Sequence, residues 1–316
     1  MSLDSATMKF LEQMAEGEGK PLHENTPDEA REYGSTLAKL AGPAPEMDHV
    51  SEVTIGRPDG EIRLRVLAPI EIPRGVIVYY HGGGWVRGSI DESDTLARKL
   101  AERTSCVVAL VDYRLAPEHR YPTAVDDSYA ALEWVDDHMD SIAGAGAPLV
   151  VVGDSAGGNL AAVMAVRARD LNGPPISLQV LVCPVTDADF SRPSYNDPDN
   201  QLLLDREGMV WFWDHYVPEP SRRAESEASP LRTENLSGLP AAVVLTAEFD
   251  VLRDEGEAYA KRLREARVPT DLKRYAGQMH GFVSILMLPG SELGFQQIVK
   301  AVKACVARSR KVHSIR

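Results

Sequence analysis

An α/β fold, with a mostly parallel sheet of about eight strands flanked by helices, is predicted by three features of the sequence. Short β-branched, apolar runs recur at 75–80, 106–111, 149–152, 178–183 and 241–245. Most are apolar almost throughout, as strands buried on both faces of a parallel sheet must be. Helix-period segments at 96–103, 124–137, 159–170 and 255–266 separate most of them, which is the rhythm of βαβ crossovers. The chain of 316 residues, 44% hydrophobic and 26% charged, is long enough for one large core with insertions, and that composition excludes disorder and fibrous repeats.

Along the chain, residues 1–48 carry helical patterns. In Thr26-Pro27-Asp28-Glu29, Thr26 can cap a helix, Pro27 suits its first turn and Glu29 can close a capping box. Residues 49–55 and 62–67 alternate apolar with polar around the turn sequence Arg57-Pro58-Asp59-Gly60, so they read as an antiparallel hairpin at a sheet edge. The apolar strands and their helices follow, and 271–275 supplies the last strand. Its charges, Asp271, Lys273 and Arg274, suit an exposed edge that must be blunted or paired. Residues 187–231 break the rhythm with a Pro- and Asp-rich stretch and then an amphipathic segment containing Trp211-Phe212-Trp213. This insertion is too long for a loop and too short for an independent domain. The expected division is N-terminal cap helices at 1–48, an α/β core at 49–186 and 232–316, and a cap insertion at 187–231. Together the two cap segments would cover the carboxyl edge of the sheet, where ligand sites of such folds lie.

The formal charge of −13 opposes binding to phosphate backbones and anionic lipid surfaces, so no nucleic-acid or membrane partner is expected. The one dense basic stretch, 308–311, lies where the C-terminus is expected to fray. Cys106, Cys183 and Cys305 are too scattered for a disulfide framework or a CxxC site. No run approaches the roughly 20 apolar residues of a membrane span, and the first residues lack a signal-peptide pattern. A soluble protein of a reducing compartment, the cytoplasm, is expected. No HExxH, Cys/His cluster or dinucleotide signature occurs, so neither a metal nor a cofactor is expected.

Two motifs carry the chemistry. Gly153-Asp154-Ser155-Ala156-Gly157 follows the apolar run 149–152 and precedes a helical segment. This is G-x-S-x-G in the strand–turn–helix setting of a nucleophile elbow, where a tight turn lifts the serine hydroxyl above the sheet. Ser155 would stand at a helix N-terminus, whose dipole and free N–H groups favour developing negative charge. The plainer reading is a glycine-rich turn that only caps a helix, and the strand–turn–helix setting weighs against it. The second motif is His81-Gly82-Gly83-Gly84-Trp85, directly after the run 75–80. Consecutive glycines let main-chain N–H groups face a cavity, as an oxyanion hole requires. A phosphate loop would need GxGxxG or GxxxxGK[ST], and neither is present.

In the order nucleophile, acid, histidine, the base and its orienting carboxylate follow Ser155. His215 lies in the amphipathic segment beside Trp213 and Tyr216, and His313 lies in the terminal tail. His280 follows a strand-like run and a turn, which puts it at the carboxyl edge. For the acid, Asp250 lies just past the run 241–245, with Glu248, Asp254 and Glu255 as rivals. Asp254 and Glu255 would open the next helix, where carboxylates are favoured without any catalytic role. Trp85, Trp211, Phe212 and Val283 are possible pocket walls, although aromatics beside a core more often only pack.

These motifs, together with Asp112-Tyr113-Arg114-Leu115-Ala116-Pro117-Glu118, Ser229-Pro230-Leu231, the run from Glu248 to Glu255 and His280-Gly281-Phe282, resemble the hormone-sensitive-lipase-like, GDSAG branch of the α/β-hydrolase fold. The resemblance implies an α/β-hydrolase fold with a helical cap. It implies a serine carboxylesterase working through an acyl-enzyme, with Ser155 as nucleophile, His280 as base and Asp250 as acid. The short cap segments, the lack of a long apolar surface helix and the net charge of −13 point to short- to medium-chain esters. Val251 stands where the family often has proline. It further implies Gly83 and Gly84 as oxyanion donors beside Ala156, the residue after the nucleophile, and a homodimer formed through the last strand or its neighbouring helix. The segment from Asp112 to Glu118 reads as turn-forming structure. Amide, N-formyl or acetyl-metabolite hydrolysis would use the same triad. A non-catalytic small-molecule receptor, as in the family's plant hormone receptors, would lack the triad histidine, which is present here.

Overall fold

The computed structural model describes residues 2–16, 20–38 and 41–313. Eight strands form one sheet in the order β1-β2-β4-β3-β5-β6-β7-β8. They are β1 (His49–Arg57), β2 (Gly60–Ala68), β3 (Val76–Tyr80), β4 (Val107–Asp112), β5 (Leu149–Asp154), β6 (Ile176–Val182), β7 (Ala241–Phe249) and β8 (Thr270–Met279). All neighbours from β4 to β8 run parallel, whereas β1 and β2 are antiparallel to each other and β2 is antiparallel to β4. Arg57 pairs with Gly60, so Pro58 and Asp59 make the two-residue hairpin loop expected from the turn sequence.

The inner strands β3 to β5 are buried at almost every position because both faces are covered. On one face Ile77, Val108 and Val150 pack against α3 (Ile90–Thr104) and α9 (Pro289–His313). On the other, Val78, Ala109 and Val151 pack against α4 (Thr123–Ala143), α5 (Ala156–Asp170) and α8 (Arg253–Glu265). The period-2 side-chain alternation of a strand thus feeds two separate apolar layers.

Beyond the sheet and its flanking helices lie α1 (Ser5–Ala15), α2 (Pro27–Ala38), the single turn α6 (Pro193–Asn196) and α7 (Arg206–Tyr216), whose Trp211, Phe212, Trp213 and Tyr216 join the second apolar layer. Asp4 caps α1, accepting from the N–H groups of Ala6 and Thr7, while its own N–H donates to the Gly277 carbonyl on β8. The capping box at α2 forms in both directions: the Thr26 N–H donates to Glu29 at 2.8 Å and the Glu29 N–H donates to Thr26 Oγ1 at 3.3 Å. The N-terminal region is also latched to the core by Arg31, which donates to the carbonyls of Val86 and Ala116 and pairs with Glu118.

At the C-terminus the structure corrects the expectation. Residues 308–311 and His313, expected to be a frayed tail, continue α9 as far as its end at His313. Buried Phe295, Ile298, Val299, Val302, Cys305 and Val306 form the apolar stripe that binds this helix to the sheet. At the β8 edge the three expected charges have intramolecular partners: Arg274 pairs with Glu257, Asp271 accepts from Gln297, and Lys273 lies over the Tyr275 ring. Among the described residues no helix is long and apolar enough to cross a membrane.

Candidate active site

The loops that follow β3, β5, β7 and β8 emerge on the same edge of the sheet. The crossover leaves β3 between β4 and β5, and at such a point successive loops diverge and open a crevice. The five-residue elbow turns from β5 into α5 within this crevice. Gly157 sits so close to β3 that a methyl group there would fall 1.9 Å from the Tyr80 carbonyl oxygen, so only glycine fits. Ser155 takes φ 54° and ψ −118°, a strained conformation for a side-chain-bearing residue, held by its N–H bond to the Val182 carbonyl at 2.8 Å. The result is a hydroxyl raised above the sheet at the N-terminus of α5.

His280 follows β8 directly. Its Nε2 lies 3.0 Å from Ser155 Oγ and its Nδ1 lies 2.9 Å from Asp250 Oδ2. With a carboxylate facing Nδ1, the proton resides there, which leaves Nε2 to accept from the serine hydroxyl. Asp250 is 1% exposed, and its second oxygen accepts from the Leu252 N–H at 2.9 Å. Val251, at the position where proline is frequent, is fully buried, and its carbonyl accepts from Ser194 Oγ, so the turn is held without the ring.

The rival residues have other partners. Glu248 accepts from the Gly277 N–H, and Asp254 accepts from the Ser194 N–H. Glu255 is fully buried and accepts from the N–H groups of Thr186 and Asp187; burial pushes its carboxyl up to about 8, against the pull of those two bonds. His215 stacks on Trp211 and bonds to its carbonyl. Arg114 forms a bidentate pair with buried Asp127, the structural role expected for that segment.

The glycine loop stands opposite the elbow. The Tyr113 hydroxyl donates to the His81 carbonyl at 2.8 Å, and its ring stacks on the imidazole at 4.3 Å. Gly83 and Gly84 line the same cavity as Ser155 and His280, while Ala156 opens α5 immediately behind the serine. The cavity encloses about 210 Å³. Its walls are mostly apolar: Phe10 from α1, Leu203, Leu204 and Phe212 from the insertion, and Ile285 and Leu286 beyond His280. Of the four possible walls named from sequence, only Phe212 lines it; Trp85, Trp211 and Val283 are buried in packing.

Two features were missed in the sequence. Asp154, the variable position of the elbow, accepts from Tyr79 Oη at 2.7 Å and from Ser284 Oγ at 2.9 Å, which joins the elbow to the segment after His280. The other corrects the expectation that no Cys/His cluster exists. Cys183, at φ 42° after β6, places its thiol with one atom each of Asp250 and His280 within 4.8 Å of one another. Burial drives that thiol well above its ordinary pKa, so it sits as a neutral group beside Asp250 and His280. Their contact with each other accounts for two of the three members.

Known proteins match this arrangement. The family model of the alpha/beta hydrolase fold matches residues 77–284, which include the glycine loop, the elbow, Asp250 and His280. The chain is 42% identical over 257 residues to carboxylesterase NlhH of Mycobacterium tuberculosis, covering 77% of this chain and 78% of that one. It is 35% identical over 317 residues to the ethyl acetate hydrolase of Pseudomonas putida, covering 96% and 99% of the two chains. Among solved structures, a thermostable esterase from Pseudomonas putida superposes with a TM-score of 0.90 at 38% identity, covering 96% of this chain and 98% of that one. With its eight-stranded sheet and this set of relatives, the chain belongs to the alpha/beta-hydrolase family, in the hormone-sensitive-lipase-like branch, and is a carboxylic ester hydrolase.

Proposed function

We propose that the protein hydrolyses short- to medium-chain carboxylic esters through an acyl-enzyme on Ser155, with His280 as general base and Asp250 as its orienting acid. The observation that carries this reading is the continuous chain Ser155 Oγ–His280 Nε2 and His280 Nδ1–Asp250 Oδ2, at 3.0 and 2.9 Å. Ser155 Oγ attacks the ester carbonyl as its proton passes to His280 Nε2. Asp250 holds the tautomer and stabilises the imidazolium. The N–H groups of Gly83, Gly84 and Ala156 receive the oxyanion, each worth about 3 kcal/mol in the transition state. The imidazolium then protonates the departing alcohol as the tetrahedral intermediate collapses. Water, deprotonated by His280, attacks the acyl-serine, and the proton returns to Ser155 as the acid leaves.

A cavity of about 210 Å³ lies below the roughly 300 Å³ at which drug-sized pockets begin, which favours small esters. In this reading residues 1–48 and 187–231 are the cap, which supplies Phe10, Leu203, Leu204 and Phe212 to the cavity wall. The protein works as a cytoplasmic homodimer joined along β8 or its neighbouring helix, without nucleic-acid partners. A rate profile over p-nitrophenyl esters of increasing acyl length tests the substrate class, and a light-scattering mass of 34.6 kDa would refute the dimer.

A further inference from the structure

Gly84 and Trp85 adopt successive left-handed conformations, at φ 62° and 60°. The second is costly for a large side chain, so packing beyond the loop's own turn bonds, Val86 N–H and Arg87 N–H to the Gly83 carbonyl, must hold its shape. Much of that packing comes from α7. The Phe212 ring lies flush against Gly84, so that a methyl group on Gly84 would fall 2.2 Å from its Cδ1. Trp85, fully buried, stacks on Tyr216 at 4.2 Å and 12°, and meets Trp213 edge-on at 5.0 Å. Both partners are tied to the same segment of the core: the Trp85 carbonyl accepts from Ala116 N–H at 2.8 Å, and the Tyr216 carbonyl accepts from Tyr121 N–H at 3.0 Å.

We infer that α7 is the positioning element of the oxyanion hole, with Phe212 clamping Gly84 while Tyr216 and Trp213 clamp Trp85. This rests on the assignment of Gly83 and Gly84 as oxyanion donors. Donors of this kind act through preorganisation, and a displacement of roughly 1 Å costs on the order of a hundredfold in rate. Phe212 also lines the cavity, so the ring that a substrate touches is the ring that fixes the donors.

The test separates a clamp from a wall. Phe212→Ala and Phe212→Leu are assayed for kcat and KM with p-nitrophenyl acetate. They are also assayed for inhibition by a trifluoromethyl ketone, which forms a tetrahedral oxyanion on the serine, and by the matching methyl ketone, which forms that adduct far less readily. The clamp requires Phe212→Ala to lower kcat about 10- to 100-fold with KM within about threefold. Trifluoromethyl ketone inhibition should weaken by the same factor, methyl ketone inhibition should hold, and Phe212→Leu should recover most of the loss. A raised KM at unchanged kcat, or equal weakening of both ketones, overturns the inference. If Phe212→Ala does not fold, Phe212→Val replaces it in both assays; the same fall in kcat and the same split between the two ketones are required, and an unchanged kcat overturns the clamp. Hydrolysis that survives Ser155→Ala would instead overturn the catalytic reading beneath it.

Discussion

Ser284 Oγ donates to Asp154 Oδ2 at 2.9 Å, which links the residue before Ser155 to the segment that carries His280. The two loops come from β5 and β8, on opposite sides of β6 and β7, so neither neighbour in sequence nor the sheet ladder sets the Ser155–His280 distance. A hydrogen bond to a charged group contributes about 1.5–3 kcal/mol. Ser284→Ala should therefore lower kcat by roughly tenfold while leaving KM near its wild-type value. Wild-type kcat with a lowered melting temperature would show that the bond only stabilises the fold.

Ser155→Ala should abolish ester hydrolysis with the melting temperature preserved, because among the described residues the hydroxyl bonds only to His280. Asp250→Asn should reduce kcat by about 10⁴, the scale on which losing the orienting acid presents the wrong tautomer. Glu248→Gln and Asp254→Asn should cost far less, since both carboxylates serve main-chain N–H groups. A small loss in Asp250→Asn beside a large one in either of the other two would mean that the wrong acid has been assigned. Steady-state kinetics with one chromogenic ester decides it.

Much of this arrangement is legible in the sequence, for a physical reason. Strands β3 to β5 announce themselves because burial on both faces removes polar alternatives from nearly every position. The elbow is legible because its sterics are local: Gly153, Ser155 and Gly157 must fit one turn. The start of α9 is obscured by Gly290 and Gly294, poor helix formers whose place in the helix is settled by tertiary contact. The Asp154–Ser284 and Cys183–Asp250–His280 groupings join residues far apart in sequence, through strand order and register. Periodicity shows which face of α7 is apolar but not that Phe212 meets a glycine.

Burial of Glu255 predicts a pH-dependent stability that a surface carboxylate would not produce. Its carboxyl is pushed up to about 8, whereas an unfolded glutamate ionises near 4.3. Between those values the unfolded chain has lost the proton and the native protein still holds it. Stability should therefore fall as pH rises from about 5 to 8 and level off above. Glu255→Gln keeps the shape without the ionisation. The difference in melting temperature between variant and wild type should thus favour the variant increasingly over this window. A difference that stays constant with pH would show that native Glu255 is already charged.

The reaction should show no interfacial activation. The cavity is small, and α1 and the loop and helix of the insertion supply part of its wall; the Asp4 N–H at the start of α1 donates to the Gly277 carbonyl, and Tyr216 of α7 stacks on Trp85. A net charge of −13 opposes adsorption to anionic interfaces. Rates with p-nitrophenyl esters should peak at short to medium acyl chains and fall for longer ones, because each further methylene must find about 0.8 kcal/mol of burial that a filled cavity cannot supply. Widening the wall at Leu203 or Leu204 to alanine should move that peak to longer chains. A rate that jumps as a long-chain triglyceride passes its solubility limit would contradict this, since it would require a lid that lipid opens. An acyl-length series on wild type and on Leu204→Ala, followed by a triglyceride titration across the solubility limit, measures both.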